Sequence, residues 1–342
     1  MQSVNLLIRV DSSPNIGGGH LNRCLVLARA LKFAGFNPIF VCHRIKYSQI
    51  FKLYGEFPCH EIGTIEDQPM SPSDAIQTLS VDPGVTLVIC DQYAVNFEWS
   101  RIIMDHAKLI LIYDLADKKL FCDKLIDMSV SRSPCDYNDL VSDDCQVFTG
   151  AEYALIDSNF FRNEFQLSDP KDRLRIFISY GSTDICNLTS PVLELLSRHE
   201  EEIESIDIMI ASSCEYIDAI VEAMSIFRKT NIKLYKNHAA PWMLMKKCNI
   251  GLVAGGLVSY ELNASNRASL ITPLNPIQSK SSLHLSQSNS GGVLSYDQLL
   301  SIIKSEDSVT LMHEISAALG KYEGKVIFSS DCASNCINAI VD

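Results

Sequence analysis

Nothing in this chain approaches the roughly 20 consecutive apolar residues that a membrane-spanning helix requires. Its first residues, MQSVNLLIRVDSS, also lack a basic stretch ahead of a long apolar one. Both absences lead to the expectation of a cytoplasmic protein without a membrane span. Basic residues are scarce: 29 Lys and Arg stand against 41 Asp and Glu, a formal net charge of −12. Nucleic acid and anionic membranes reward the opposite sign, so neither is expected as a partner. A small anionic ligand stays open, because its site needs only local N–H donors and a helix dipole. No internal repeat and no low-complexity tract interrupts the sequence.

Clustered metal ligands are missing too. The 12 cysteines are scattered, and Cys42, Cys90 and Cys248 lie in apolar runs that read as core strands. In a reducing compartment such thiols are small buried hydrophobes. Cys332 and Cys336 form a single C-x-x-x-C without further ligands, which is a poor zinc site. Neither a metal nor a cofactor is expected.

What is present belongs to a folded chain: 47% hydrophobic and 20% charged residues over 342 positions, long enough for two domains. Strands are expected at Val4 to Val10, Asn37 to His43, Thr86 to Cys90 and Lys108 to Tyr113, and more weakly at Lys124 to Ser129 and Cys145 to Thr149. A helix is expected from about Leu21 to Gly35. The polar stretch from Tyr153 to Leu174, with Pro170, reads as an interdomain connection. Beyond it, Arg175 to Tyr180, Ser205 to Ala211, Ile232 to Tyr235 and Asn249 to Ala254 read as strands, with helices at about Leu188 to Leu196 and Ala240 to Lys247. The expected division is 1–157, 158–330 and a segment 331–342 that crosses back to the first domain. Strands spaced by helices imply parallel sheets with right-handed crossovers, and ligands of such sheets bind beyond the carboxyl ends of the strands.

Polar chemistry concentrates at those ends. Ile8 to Leu27, IRVDSSPNIGGGHLNRCLVL, reads as a strand end, a polar turn, Gly17, Gly18 and Gly19, then His20 and a helix. Glycines let the backbone approach a ligand closely, and the helix start offers N–H groups to phosphate. The loop has neither the Lys-Ser/Thr of a Walker loop nor the spacing of G-x-G-x-x-G. Asp11 follows the first strand, Asp91 and Tyr93 follow TLVIC, and Asp114 and Asp117 follow KLILIY. Together they would place acidic and phenolic groups beside His20, a setting for activating water. Singly, each aspartate equally suits a helix cap or a turn, and His20 a capping or buried histidine. Two later turns repeat the layout: Tyr180-Gly181-Ser182-Thr183-Asp184, and Gly255-Gly256-Leu257 leading to Ser259 and Glu261.

The segment RVDSSPNIGGGHLNRCLVLARAL resembles the N-terminal signature of the PseG-like UDP-sugar hydrolases of the pseudaminic acid pathway, relatives of the MurG-type GT-B glycosyltransferases. The similarity continues, in the family's order, through Ile89 to Tyr93, Tyr113 to Asp117, ISYGSTDICNL from Ile178 and GGLVSYELN from Gly255. The resemblance implies an α/β, GT-B-like architecture, two Rossmann-like domains with parallel sheets facing across a cleft. It implies cleavage of UDP-2,4-diacetamido-2,4,6-trideoxy-β-L-altropyranose into UDP and the free sugar by water attack at the anomeric carbon with inversion.

The residues it points to are His20, Tyr93 and Asp11 for catalysis. For the substrate they are Gly17, Gly18, Gly19, Arg23, Asp91, Gly181, Ser182, Thr183, Asp184, Gly255, Gly256, Leu257 and Ser259. Glu261 would meet the ribose hydroxyls, and the amide-rich stretch with Gln278, His284 and Gln287 would face the sugar. The chain departs from the family at Gln92, where a histidine is usual, at Tyr180 to Asp184 in place of Gly-Gly-Thr-Asp, and in extra residues near Leu53 to Val81 and at the C-terminus. A glycosyltransferase using a UDP-sugar donor and a UDP-sugar-binding protein without turnover are the other readings. A monomer is compatible with all three.

Overall fold

A computed structural model describes residues 4–13, 16, 18–45, 55–162, 173–288 and 290–341; Gly17 lies outside the described residues. The chain divides into two units, Met1–Ile156 with Ser330–Asp342, and Asp157–Ser329. The first contains β1 (Val4–Val10), α1 (Gly19–Phe33), β2 (Phe36–His43), β3 (Cys59–Ile62), α2 (Pro72–Ser80), β4 (Leu87–Asp91), α3 (Phe97–Met104), β5 (Lys108–Ile112), β6 (Lys124–Asp127) and β7 (Gln146–Thr149). Its strands form one sheet in the order β3-β2-β1-β4-β5-β6-β7, every pairing parallel.

The apolar stretch Leu6–Ile8 at the centre of β1 follows from burial on both faces. Leu6, Ile8 and Val10 pack with Leu21, Leu25 and Ala28 of α1, while Leu7 packs on the other face with Val88, Trp99 and Ile103. Burying each such leucine contributes on the order of 2 kcal/mol. α1 begins at Gly19, two residues before the expected start at Leu21, which places His20 in its first turn. Of the stretch from Leu53 to Val81 in which the chain departs from the family by extra residues, the described part begins at 55. It supplies edge strand β3 and crossover helix α2, which starts on the N-cap Ser71, accepting from the Asp74 N–H, and on Pro72.

The second unit contains β8 (Leu174–Ser179), α4 (Thr189–Leu196), β9 (Ile203–Ile210), α5 (Ile217–Met224), β10 (Asn231–Lys236), α6 (Pro241–Met245), β11 (Ile250–Ala254), α7 (Leu257–Ala264), β12 (Ala268–Thr272), α8 (Pro276–Gln287), β13 (Gly291–Val293), α9 (Tyr296–Lys304) and α10 (Ser308–Lys321). Its parallel sheet runs β10-β9-β8-β11-β12-β13, the same winding as the first. β12 and β13 are absent from the sequence expectations: ASLIT mixes hydroxyls with aliphatics, and β13 has 3 residues. The strand order reverses between β1 and β4 and again between β8 and β11. These reversals are where open parallel sheets hold ligands.

The last helix, α11 (Cys332–Val341), belongs to the first unit. Cys336 and Ile340 join the α1 side of that unit's core. The Cys332 and Cys336 thiols donate to the carbonyls of Ala151 and Tyr153 at 3.1 and 3.2 Å. The buried Lys124 ammonium donates to the Ala339 carbonyl at 2.8 Å, satisfying an otherwise open end of the helix. No described helix is long and apolar enough to cross a membrane.

Candidate active site

The end of β1 is held by a buried ionic network. Arg9 is fully buried; its Nε and Nη2 donate to the two Asp74 oxygens at 3.1 and 2.7 Å, and its Nη1 donates to Asp11 at 2.6 Å. Asp11 also accepts from the His43 backbone N–H at 2.7 Å and from Gln92 Nε2 at 2.8 Å. Asp11 was expected among the catalytic groups, and the structure places it behind the site instead. It is 1% exposed and filled by donors that tie together the ends of β1, β2 and β4. Trp99 Nε1 and His43 Nδ1 complete the shell of Asp74. Asp74 and His43 were not among the residues singled out from the sequence, in which no helix was expected at Pro72–Ser80.

Across the switch point lies a second cluster. His20 Nδ1 meets Asp91 Oδ1 at 2.6 Å. Arg23, one turn further along α1, clasps the same carboxylate: Nε to Oδ2 at 2.6 Å and Nη2 to Oδ1 at 2.6 Å. Its Nη1 reaches Asp114, past the end of β5, at 2.7 Å. Burial alone would raise Asp91, but the charges of Arg23 and His20 outweigh it and hold the carboxyl well below the usual range. Asp114 is likewise kept ionised by Arg23 against its own burial.

Tyr93 donates its phenol to Asp114 at 2.5 Å and sets its ring edge-on to His20, centroids 4.6 Å apart. Burial and the adjacent Asp114 push the phenol above its ordinary value, so it stays protonated. The backbone of its loop is pinned by Lys118, which donates to the Tyr93 and Val95 carbonyls. Two groups approach His20 Nδ1: Arg23 Nη2 at 3.2 Å and, closer, Asp91 Oδ1 at 2.6 Å. Because the ionised carboxylate can only accept, the ring hydrogen is assigned to Nδ1 and the lone pair to Nε2, which has no protein partner among the described residues.

Of the glycines at this loop, Gly18 caps α1 and accepts from the Asn22 N–H, and Gly19 is the first residue of the helix. Arg23, expected as a substrate contact, is 6% exposed and turned into the protein.

In the second unit the turn after β8 runs through Gly181, at φ +92°, a conformation that favours glycine. Ser182 and Thr183 are half-buried, and neither hydroxyl has a protein partner among the described residues. Asp184 is fully buried and accepts from the Leu188 and Thr189 N–H groups, both at 3.0 Å. Its carboxylate therefore shapes the turn into α4 and is not available to a ligand.

The turn after β11 is packed closely by α8: a Cβ on Gly255 would overlap Ser282 Oγ, and the Gln278 amide lies beside Gly256. Ser259 is buried and donates back to the Gly256 carbonyl at 2.7 Å, which leaves the half-buried Leu257 and the open N–H groups at the start of α7 facing outward. His284 and Gln287 are exposed further along α8, whereas Gln278 and Ser282 of that helix lie against the glycine turn.

Two comparisons bear on these observations. The chain matches the structure of MurG from Acinetobacter baumannii at a TM-score of 0.66 with 11% identity, covering 98% of this chain and 99% of that one. It matches the S. aureus MnaA structure with UDP at 0.60 and 11%, over 99% and 96%. The chain has the GT-B fold. No family model matches this GT-B chain. By sequence it is similar to the UDP-2,4-diacetamido-2,4,6-trideoxy-beta-L-altropyranose hydrolase of Campylobacter jejuni, 27% identical over 261 residues, which is 76% of this chain and 88% of that protein. The resemblance drawn from the motifs therefore extends over most of the chain.

One carboxylate of the GT-B chain stands apart. Glu261, in α7, is partly exposed and has no hydrogen-bond partner for its side chain among the described residues. Burial, with the like charge of Asp157 added, pushes it up to about 8. A carboxyl raised in the folded state favours folding below its unfolded range, and that contribution is lost as pH rises through about 8. Glu261→Gln is therefore expected to match the parent protein near about pH 5 and to exceed its denaturant midpoint near about pH 9. An unchanged difference across that range would mean that Glu261 ionises freely.

Proposed function

We propose that this protein hydrolyses a UDP-sugar, releasing UDP and a free 2,4-diacetamido-2,4,6-trideoxyhexose, in the biosynthesis of a pseudaminic-type nonulosonic acid in the cytoplasm. The observation that carries this reading is the His20–Asp91 pair at the switch point of the first sheet, with Nε2 unengaged among the described residues. Nε2 accepts a proton from water as the water oxygen bonds to the anomeric carbon. The glycosidic C–O bond breaks, its electron pair leaves with the diphosphate oxygen of UDP, and the anomeric configuration inverts. Asp91 holds the imidazole in the tautomer that can accept and stabilises the imidazolium that results. Tyr93 fixes the ring from its other side.

The unpartnered hydroxyls of Ser182 and Thr183 and the α7 start at Gly255, Gly256 and Leu257 supply donors where the leaving diphosphate gains charge. Glu261 accepts from the ribose hydroxyls, and the Gln278 amide contributes a polar contact. The name of the Campylobacter jejuni relative supports the choice of sugar.

The test is turnover of UDP-2,4-diacetamido-2,4,6-trideoxyaltrose in oxygen-18 water without an acceptor, followed by mass spectrometry. Label in the sugar is the expected result. Label in UDP would mean attack at phosphorus, and release only on adding an acceptor would make the protein a transferase; either overturns the proposal.

A further inference from the structure

Among the described residues, Arg23 is the cation clasped between the buried Asp91 and the partly buried Asp114. Asp91 and Asp114 both lie against its guanidinium, and with Arg23 in place the cluster of Asp91, Asp114, Arg23 and a neutral His20 carries one net negative charge. When His20 accepts a proton the cluster becomes neutral. The other groups facing the imidazole and guanidinium are Tyr93, Cys24 and Met128, and none of them supplies a positive charge. Without Arg23, Asp91 would keep His20 as its one cationic partner among the described residues, with the charge of Asp114 beside that carboxylate and no longer neutralised. Coulomb attraction in so dry a setting would then favour an imidazolium before any substrate arrives.

We propose that Arg23 is a positioning residue that keeps His20 proton-free by neutralising Asp91 and Asp114, and that it does not touch the substrate. The catalytic part of this inference rests on the hydrolase reading above; the part concerning the protonation of His20 does not. Geometry supports the inward role. Nε and both terminal nitrogens are engaged by Asp91 and Asp114, and the side chain is 7% exposed. The fork also fixes the plane of Asp91, which a point charge could not do.

Nitrogen-15 NMR of the full-length, histidine-labelled protein without ligand reads the first part, with the His20 signals assigned by their loss in His20→Asn. In the parent protein, Nδ1 protonated and Nε2 bare is expected at neutral pH; in Arg23→Gln, both nitrogens should be protonated and revert only at higher pH. Turnover reads the second part: Arg23→Gln should lower kcat at neutral pH by ~10²-fold or more, with KM within about threefold and the loss shrinking as pH rises.

Arg23→Lys keeps a charge without the fork and should fall between the two, and it is the informative variant if circular dichroism shows Arg23→Gln unfolded. A His20 that keeps its bare Nε2 in the variants, or a KM that rises tenfold with kcat retained, would overturn the inference. Should the parent protein fail to turn over the UDP-sugar, the hydrolase reading falls while the NMR result still decides the role of Arg23.

Discussion

His20→Asn is expected to lower turnover of the UDP-sugar by ~10²–10⁴-fold, the range a positioned general base contributes. Asparagine keeps a polar group of similar reach and can still hydrogen-bond to Asp91, but its amide cannot accept a proton at neutral pH. UDP affinity, measured by calorimetry, should change little, because the residues proposed to hold UDP belong to the second unit. A variant that retains its rate would remove His20 from the chemistry and favour a binding protein or a different base. Asp91→Asn gives a related result through the tautomer: an amide N–H facing Nδ1 turns the lone pair inward and leaves Nε2 protonated, so kcat should fall without a matching change in KM.

Asp74→Ala should cost about 3–5 kcal/mol of folding stability, the usual consequence of stranding one member of a buried ion pair. The deletion leaves the fully buried Arg9 fork with Asp11 alone and removes the acceptor of Trp99 Nε1 and His43 Nδ1. Chemical denaturation of the full chain checks it. The surface pair of Arg29 and Glu56 is the internal contrast: with side chains 48% and 35% exposed, its removal should cost about 1 kcal/mol or less. A drop of that small size for Asp74→Ala would mean that water or a rearranged Asp11 satisfies Arg9, and that the network is not what holds α2 to β1. Loss of Asp74 should also slow turnover, because Asp11, relieved of its geometry, shares Gln92 with the loop that presents Tyr93.

Most of the winding was legible in the chain. Leu6–Ile8 of β1, the TLVIC run that leads into Asp91 and Leu109–Ile112 of β5 are continuous apolar stretches because both faces are covered, and such runs stand out without any partner being known. The strands that escaped notice lack that signal: β3, Cys-His-Glu-Ile, is largely polar, β12 sets Leu270 and Ile271 between Ser269 and Thr272, and β13 is too short to show a period. The strand–glycine–helix turn that carries His20 was legible for a local reason, since a strand end, small residues and a helix start are adjacent in sequence.

What each polar side chain does there was not legible. His20 finds Asp91 71 positions away, Arg9 finds Asp74 across 65, and Gln92 finds Asp11 across 81. Asp11, Arg23 and Asp184 look like ligand contacts in the sequence and are turned inward by such partners. The sequence by itself determined two parallel α/β units and the strand ends at which chemistry collects, because hydrophobic periodicity and glycine turns are local properties of the chain. Tertiary structure alone decided that, among the described residues, His20 Nδ1 is engaged while Nε2 is not, and that Arg23 does not face outward, because hydrogen-bond saturation depends on groups the fold brings from distant strands.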